Sequence, residues 1–139
     1  MKLKGEYVPE RGDAVWITID PQAGHEQAER RPALVLSPSA YNSRVGLALL
    51  CPITTQVKGY PFEVFLPAGL PATGVVRADQ VMSLNWRVRK VIRIAAVPTD
   101  FFEAVHLISF YEFINFRLSK TDFNGQFYLI KSVCSVNLI

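Results

Sequence analysis

Between two runs of β-forming residues, the stretch Gly24-His25-Glu26-Gln27-Ala28-Glu29-Arg30-Arg31-Pro32 packs a histidine, two carboxylates and two guanidiniums into nine positions. Segments between strands are where binding and catalytic groups concentrate. Thr54-Thr55 closes a later apolar run, and Arg77-Ala78-Asp79 closes another. These residue types suit acid–base chemistry at an anion. Glu26 and Asp79 are able to accept a proton when a neighbouring arginine fixes their position and charge. Arg31 and Arg77 carry planar forks that hold two phosphate oxygens at once, and a pKa above about 12 makes them electrostatic stabilisers before proton donors. Thr54 offers a hydroxyl from a rigid element, and His25 a group that titrates near neutrality. Each residue also has a plain structural reading. The carboxylates suit ion pairs or loop caps, the arginines surface salt bridges, the threonines a strand, and His25 a solvated loop. His106, inside an apolar stretch, reads as structural.

Two segments mix aromatic rings with cations. Asn85-Trp86-Arg87-Val88-Arg89-Lys90 is composed to stack a base and hold its backbone, and Lys58-Gly59-Tyr60-Pro61-Phe62-Glu63 repeats the theme with one cation. The competing readings are that Trp86 plugs the core and that Tyr60-Pro61 only makes a turn. Charge points the same way as these loops. Residues 1–98 hold 12 Lys/Arg against 8 Asp/Glu, while residues 99–139 hold 3 against 4, so an anionic partner is expected on the N-terminal part.

With 139 residues, half of them hydrophobic, the chain is expected to bury one core and form a single domain over 1–139. Cys51 and Cys134 form no C-x-x-C pair, and no secretory or membrane-spanning run precedes or follows them. The expectation is a cytoplasmic protein with no metal site, no cofactor and no membrane association.

To present those side chains, short β-like segments recur at Ala14–Asp20, Pro32–Ser37, Gly46–Ile53, Phe62–Leu66, Thr73–Asp79, Gln80–Leu84 and Val91–Val97, with Gly and Pro between them. This spacing predicts a small antiparallel barrel or sandwich. In the first segment Val15, Ile17 and Ile19 alternate with Trp16, Thr18 and Asp20, which predicts a half-buried strand. After Pro98, Asp100 as cap with Glu103 three positions on predicts a helix from about Phe101 to Leu118. Its apolar residues surround it, so it is expected to be buried or paired.

The pattern Gly24-x-Glu26-Gln27-x-x-x-Arg31-Pro32 is followed by Tyr41-Asn42, Thr54-Thr55-Gln56, Lys58–Glu63, Gly74-Val75-Val76 and Ala78-Asp79-Gln80-Val81. In that order these motifs resemble the MazF/PemK family of toxin endoribonucleases, over about residues 7–105. The resemblance implies a mainly β fold, an SH3-like twisted antiparallel β-barrel with a C-terminal helix, assembled as a symmetric homodimer. It further implies a toxin that cuts single-stranded RNA at short sequences without a metal. A MazE-like antitoxin neutralises it, with operator DNA contacted only through the antitoxin complex. RNA permits such cleavage because its own 2′-OH attacks the neighbouring phosphate, given a base, an acid and donors for the phosphorane charge. In the MazF branch the important positions match Glu26, Arg31 and Thr54; in the PemK branch they match His25, Arg77 and Asp79. The loops look more like MazF, which puts Arg31 and Thr54 first, Glu26 next, and Arg77 with Asp79 as an alternative acid–base pair. Arg30, Thr55, Gln56, Lys58, Tyr60, Phe62, Trp86, Arg87 and Arg89 are the expected RNA contacts.

The chain departs from the family pattern after Ser109, where an atypical apolar tail rich in aromatics continues to Ile139. It reads either as an extension or as the product of a shifted reading frame. The competing functions are a non-catalytic toxin on the same scaffold, as in the gyrase-directed CcdB proteins, and an inactive relative that only binds antitoxin.

Overall fold

The computed structural model describes residues 5–18 and 30–121, with side chains as far as Tyr111. His25, Glu26 and the tail beyond Thr121 lie outside the described residues. The elements run β1 (Asp13–Thr18), β2 (Arg30–Val35), α1 (Ser39–Val45), β3 (Leu47–Thr54), β4 (Glu63–Phe65), β5 (Val75–Arg77), β6 (Met82–Asn85), β7 (Ile92–Ala96) and α2 (Thr99–Thr121). All pairings are antiparallel, in the order β4-β5-β3-β2-β1-β7, with β6 also on β3. This is the mainly β architecture with a C-terminal helix that the segment spacing predicts.

Strand β3 organises the sheet because one of its edges serves two neighbours. Leu47–Leu50 pair with β6 and Ile53–Thr54 with β5, while Leu50, Cys51 and Pro52 pair with β2 on the opposite edge. A strand shared in this way lets a small β-domain turn a corner and carry side chains from both parts to one place.

Period-two alternation sends the central strands into two cores. Ala14, Leu34, Cys51 and Ile53 face one cluster with Val76, Ala78, Phe102 and Val105. Val15, Ile17, Ala33, Val35, Ala48 and Leu50 face the other, closed by Trp86. The half-buried reading of β1 is therefore corrected: both faces are covered, Thr18 included, and only Trp16 reaches solvent.

A short helix, α1, was not legible in the sequence; Pro38 and Gly46 punctuate its two ends. Gly46 ends it in the left-handed conformation (φ 76°), donating its N–H to Asn42 O. No side chain of α1 caps its start; Glu10, 29 residues away, accepts hydrogen bonds from Ser39 N (3.0 Å) and Ser39 Oγ (2.7 Å). Buried Asn42 then ties the helix to the sheet through Pro9 O and Ser37.

Helix α2 starts earlier than the capping pattern implies. Phe102 N donates to Pro98 O, which places Asp100 inside the first turn, where it accepts from Phe101 N (2.9 Å). Phe102, Val105 and Ser109 pack inward, whereas Leu107 (65% exposed) and Phe110 (58%) face solvent. Along its described side chains the helix is buried on one face, and the apolar residues of the other face lie open in the single chain, so of the two expected arrangements burial holds for one face only.

Candidate active site

Three strands deliver their end residues to one depression. Arg31, second in β2, lies opposite Ile17, Thr54 ends β3 opposite Val75, and Arg77 ends β5 opposite Glu63. Together with Pro52, Ile53, Gln56, Lys58 and Gln80 they line a cavity of about 160 Å³ whose character is polar. Thr54 Oγ1 accepts a hydrogen bond from Gln56 N (3.1 Å), so its own hydroxyl hydrogen remains to donate. Gly74 sets how deep Thr54 lies. At φ +115° its Cα approaches the end of β3 so closely that a Cβ would meet Thr54 O at 2.2 Å.

Arg77 is held from two sides. Its guanidinium carbon stands 5.1 Å from the Phe62 ring centroid and 5.7 Å from that of Tyr60, and the two rings stack at 5.1 Å. Its Nε lies 3.4 Å from Asp79 Oδ1, close enough for charge attraction, yet this buried N–H has no hydrogen bond of acceptable geometry. Asp79 therefore attracts the Arg77 guanidinium without using up its Nε donor. The rings belong to a turn that Glu63 closes by accepting the N–H groups of Lys58, Gly59 and Tyr60. Desolvation opposes the charge on Glu63, but these three amides outweigh it and hold the carboxyl below its ordinary range.

Of the residues singled out in the sequence, the fold thus brings Arg31, Thr54, Arg77, Gln56 and Lys58 to one cavity, with Asp79, Tyr60 and Phe62 around Arg77. Thr55 is exposed beside Gly74. The segment 85–90 has a different role. Trp86 is 3% exposed and donates from Nε1 to Asn42 O (2.8 Å), so it is a core residue and not a stacking platform for a base. Its ring is further covered by Arg87, 4.2 Å away, which is bonded to Glu6 (2.8 Å). Arg89 donates to Thr18 O and Arg30 to Lys90 O, which fastens this turn to the ends of β1 and β2. Sequence reasoning missed Gln80, Gly74 and Glu63 as parts of the site. The first two stand in quoted motifs without a chemical type that draws attention, and Glu63 reads as one more loop carboxylate. Among the described residues no group of three or more His, Cys, Asp or Glu is placed to hold a metal ion. Nor is any helix there long and apolar enough to cross a membrane.

Comparison with known proteins adds identity to this geometry. The family described as the PemK-like, MazF-like toxin of type II toxin-antitoxin systems matches residues 10–108. The endoribonuclease toxin MazF of Escherichia coli K12 is 48% identical over 98 residues, which cover 70% of this chain and 87% of that protein. The crystal structure of MazF from Deinococcus radiodurans superposes with a TM-score of 0.68 at 53% identity, over 75% of this chain and 94% of that one. A MazE–MazF crystal structure from the same organism gives 0.69 at 50% identity, over 74% and 94%.

Proposed function

Because this chain belongs to the PemK-like, MazF-like toxin family of type II toxin-antitoxin systems, we propose that it is an endoribonuclease toxin that cuts single-stranded RNA at short sequences without a metal ion. The observation that carries this reading is the convergence of Arg31, Thr54 and Arg77 from three strands on one polar cavity. A phosphate seated there meets two guanidiniums and one hydroxyl donor. A carboxylate takes the proton of the ribose 2′-OH, whose oxygen attacks phosphorus. The P–O5′ bond breaks and the leaving oxygen takes a proton from the surrounding water, to which the carboxylic acid returns the one it removed, giving a 2′,3′-cyclic phosphate and a 5′-hydroxyl. Arg31, Thr54 and Arg77 stabilise the phosphorane, since donors aimed at developing charge act most strongly where water is limited. Asp79 beside Arg77 and Glu26 in the segment before β2 are the two carboxylates for the base.

A MazE-like antitoxin is the proposed partner, an acidic and partly disordered chain whose extended tail follows the basic surface. A homodimer is proposed as well. The apolar groove of about 540 Å³ beside α1 and α2, lined by Leu36, Pro38, Tyr41, Leu49, Val81 and Phe110 among others, suits a second copy of the chain. Light scattering that returns the mass of one chain at micromolar concentration would reject the dimer.

The deciding experiment is cleavage by the purified chain of a long unstructured RNA containing ACA sites, the sequence that the resemblance of this chain's loops to MazF makes the first to test. Arg31→Ala and Thr54→Ala, each shown folded by circular dichroism, are expected to lose about 10²–10³ in rate. Asp79→Asn and Glu26→Gln, compared side by side, identify the base. Deoxyribose on the 5′ side of the cut is expected to stop cleavage and leave binding nearly unchanged, and EDTA is expected to have no effect. Cleavage of the deoxy-substituted RNA, or loss in EDTA that magnesium restores, would replace 2′-OH attack with activated-water hydrolysis.

A further inference from the structure

Lys58, Gly59 and Tyr60 turn three successive N–H groups toward one point, a concave arrangement that ordinarily collects an anion. Here the chain's own Glu63 fills it. Oε1 accepts from Gly59 N at 2.7 Å, Tyr60 N at 3.0 Å and Lys58 N at 3.2 Å, and Oε2 accepts again from Lys58 N at 3.2 Å. Glu63 N closes the same turn by donating to Tyr60 O at 3.1 Å. Gly59, at φ +80°, supplies the left-handed residue the turn needs.

What this turn carries makes the carboxylate consequential. Lys58 stands on the cavity that holds Arg31 and Thr54, and the ring of Tyr60 lies stacked on Phe62 against the Arg77 guanidinium. Glu63 itself is the register partner of Arg77 across β4 and β5. One side chain therefore links the turn to the β4–β5 pair, whose Arg77 lines the cavity. Arg31 and Thr54 stand on β2 and β3, which Glu63 does not hold.

We propose that Glu63 is a positioning residue for substrate binding: by occupying the Lys58–Tyr60 amide nest it holds the Lys58 charge and the Tyr60 ring at the cavity rim where RNA enters. This rests on the endoribonuclease reading of the same cavity. Removal of the carboxylate leaves three amides to water, and the turn then relaxes away from Arg77. The ground-state contacts to RNA weaken, while Arg31 and Thr54 stay on β2 and β3 and Arg77, at the end of β5, keeps Asp79 beside its guanidinium.

The test compares Glu63→Ala and Glu63→Gln with the wild-type chain. Steady-state cleavage of an ACA-containing RNA is measured, with fluorescence anisotropy on the same RNA carrying deoxyribose at the cut. For Glu63→Ala, KM and the anisotropy Kd are expected to rise about tenfold with kcat within about threefold, the signature of lost ground-state binding. Glu63→Gln keeps a carbonyl acceptor and is expected to lie between the two. Hydrogen exchange at Lys58, Gly59 and Tyr60 is expected to accelerate in Glu63→Ala with the strand amides unchanged. Wild-type KM in Glu63→Ala would overturn the role of Glu63 alone. So would a fall in kcat at constant KM accompanied by faster exchange throughout the sheet. A wild-type chain that cuts no RNA would overturn the endoribonuclease reading, and this role with it.

Discussion

Gly74→Ala is the sharpest probe of how the site is built, because the change touches no functional group. The new Cβ would lie 2.2 Å from Thr54 O, 2.8 Å from Thr54 C and 3.2 Å from Thr55 Cα. Relief to a tolerable 3.0 Å requires the Thr54 carbonyl to retreat by the difference, 3.0 − 2.2, or about 0.8 Å. Backbone atoms, not a flexible side-chain end, have to move. The φ of +115° adds strain of about 1–3 kcal/mol for a residue with a Cβ, and overpacking adds about 1–3 kcal/mol. A displacement near 1 Å at a positioned group costs about 10²-fold in rate. We therefore expect single-turnover cleavage by Gly74→Ala to fall about a hundredfold. Gly69→Ala is the control, since Gly69 has φ +93° but nothing within 4 Å of its added Cβ, so it carries the strain without the collision. It is expected to cleave like the wild type. A folded Gly74→Ala that cleaves within threefold of Gly69→Ala would refute the claim that Gly74 positions Thr54.

Trp86→Phe removes the Nε1 bond to Asn42 O and part of a buried ring, so stability is expected to drop by about 1–3 kcal/mol with RNA affinity unchanged. Weaker RNA binding at unchanged melting temperature would return Trp86 to the binding surface. Stability is also expected to decline on both sides of neutrality. Ser39 holds Glu10 below its ordinary 4.5, and the turn amides hold Glu63 below 4.5 against desolvation, so the unfolded chain takes up more protons in acid. The stability from these two groups is complete above pH 4.5 and disappears as pH falls through their depressed folded values. On the alkaline side, burial pushes Cys51 from 9.0 to about 11, and burial followed by the Asp13 hydrogen bond pushes Tyr7 well above 10.0. Folded chains there hold protons that unfolded chains release, so that contribution is lost as pH rises past 9 to 10. Melting temperatures across the pH range test both limbs, and a flat curve between pH 9 and 11 would refute the alkaline one.

Much of this molecule was legible along the chain because the relevant signals are local. Each of the seven β-like segments overlaps a strand, since alternation and Gly/Pro punctuation act over a few residues. The chemical types at positions 31, 54 and 77 likewise declared what they are able to do. Their convergence was another matter. It depends on β3 sharing one edge between β5 and β6, a pairing of residues far apart in sequence. Asn85–Lys90 shows the limit most clearly, because a tryptophan among cations has the same composition whether it stacks a base or closes a core. Burial by Val15, Ile17 and Leu50 and the reach to Asn42 decided it. The cap of α1 depended in the same way on Glu10, and the order of the Lys58–Tyr60 turn on which acceptor its amides meet. Sequence by itself determined which elements form and which functional groups are present, since backbone geometry and side-chain chemistry are properties of neighbours along the chain. Only the tertiary structure decided which groups share a cavity and which are consumed by packing, because hydrogen bonds and burial act between atoms close in space whatever their separation in sequence.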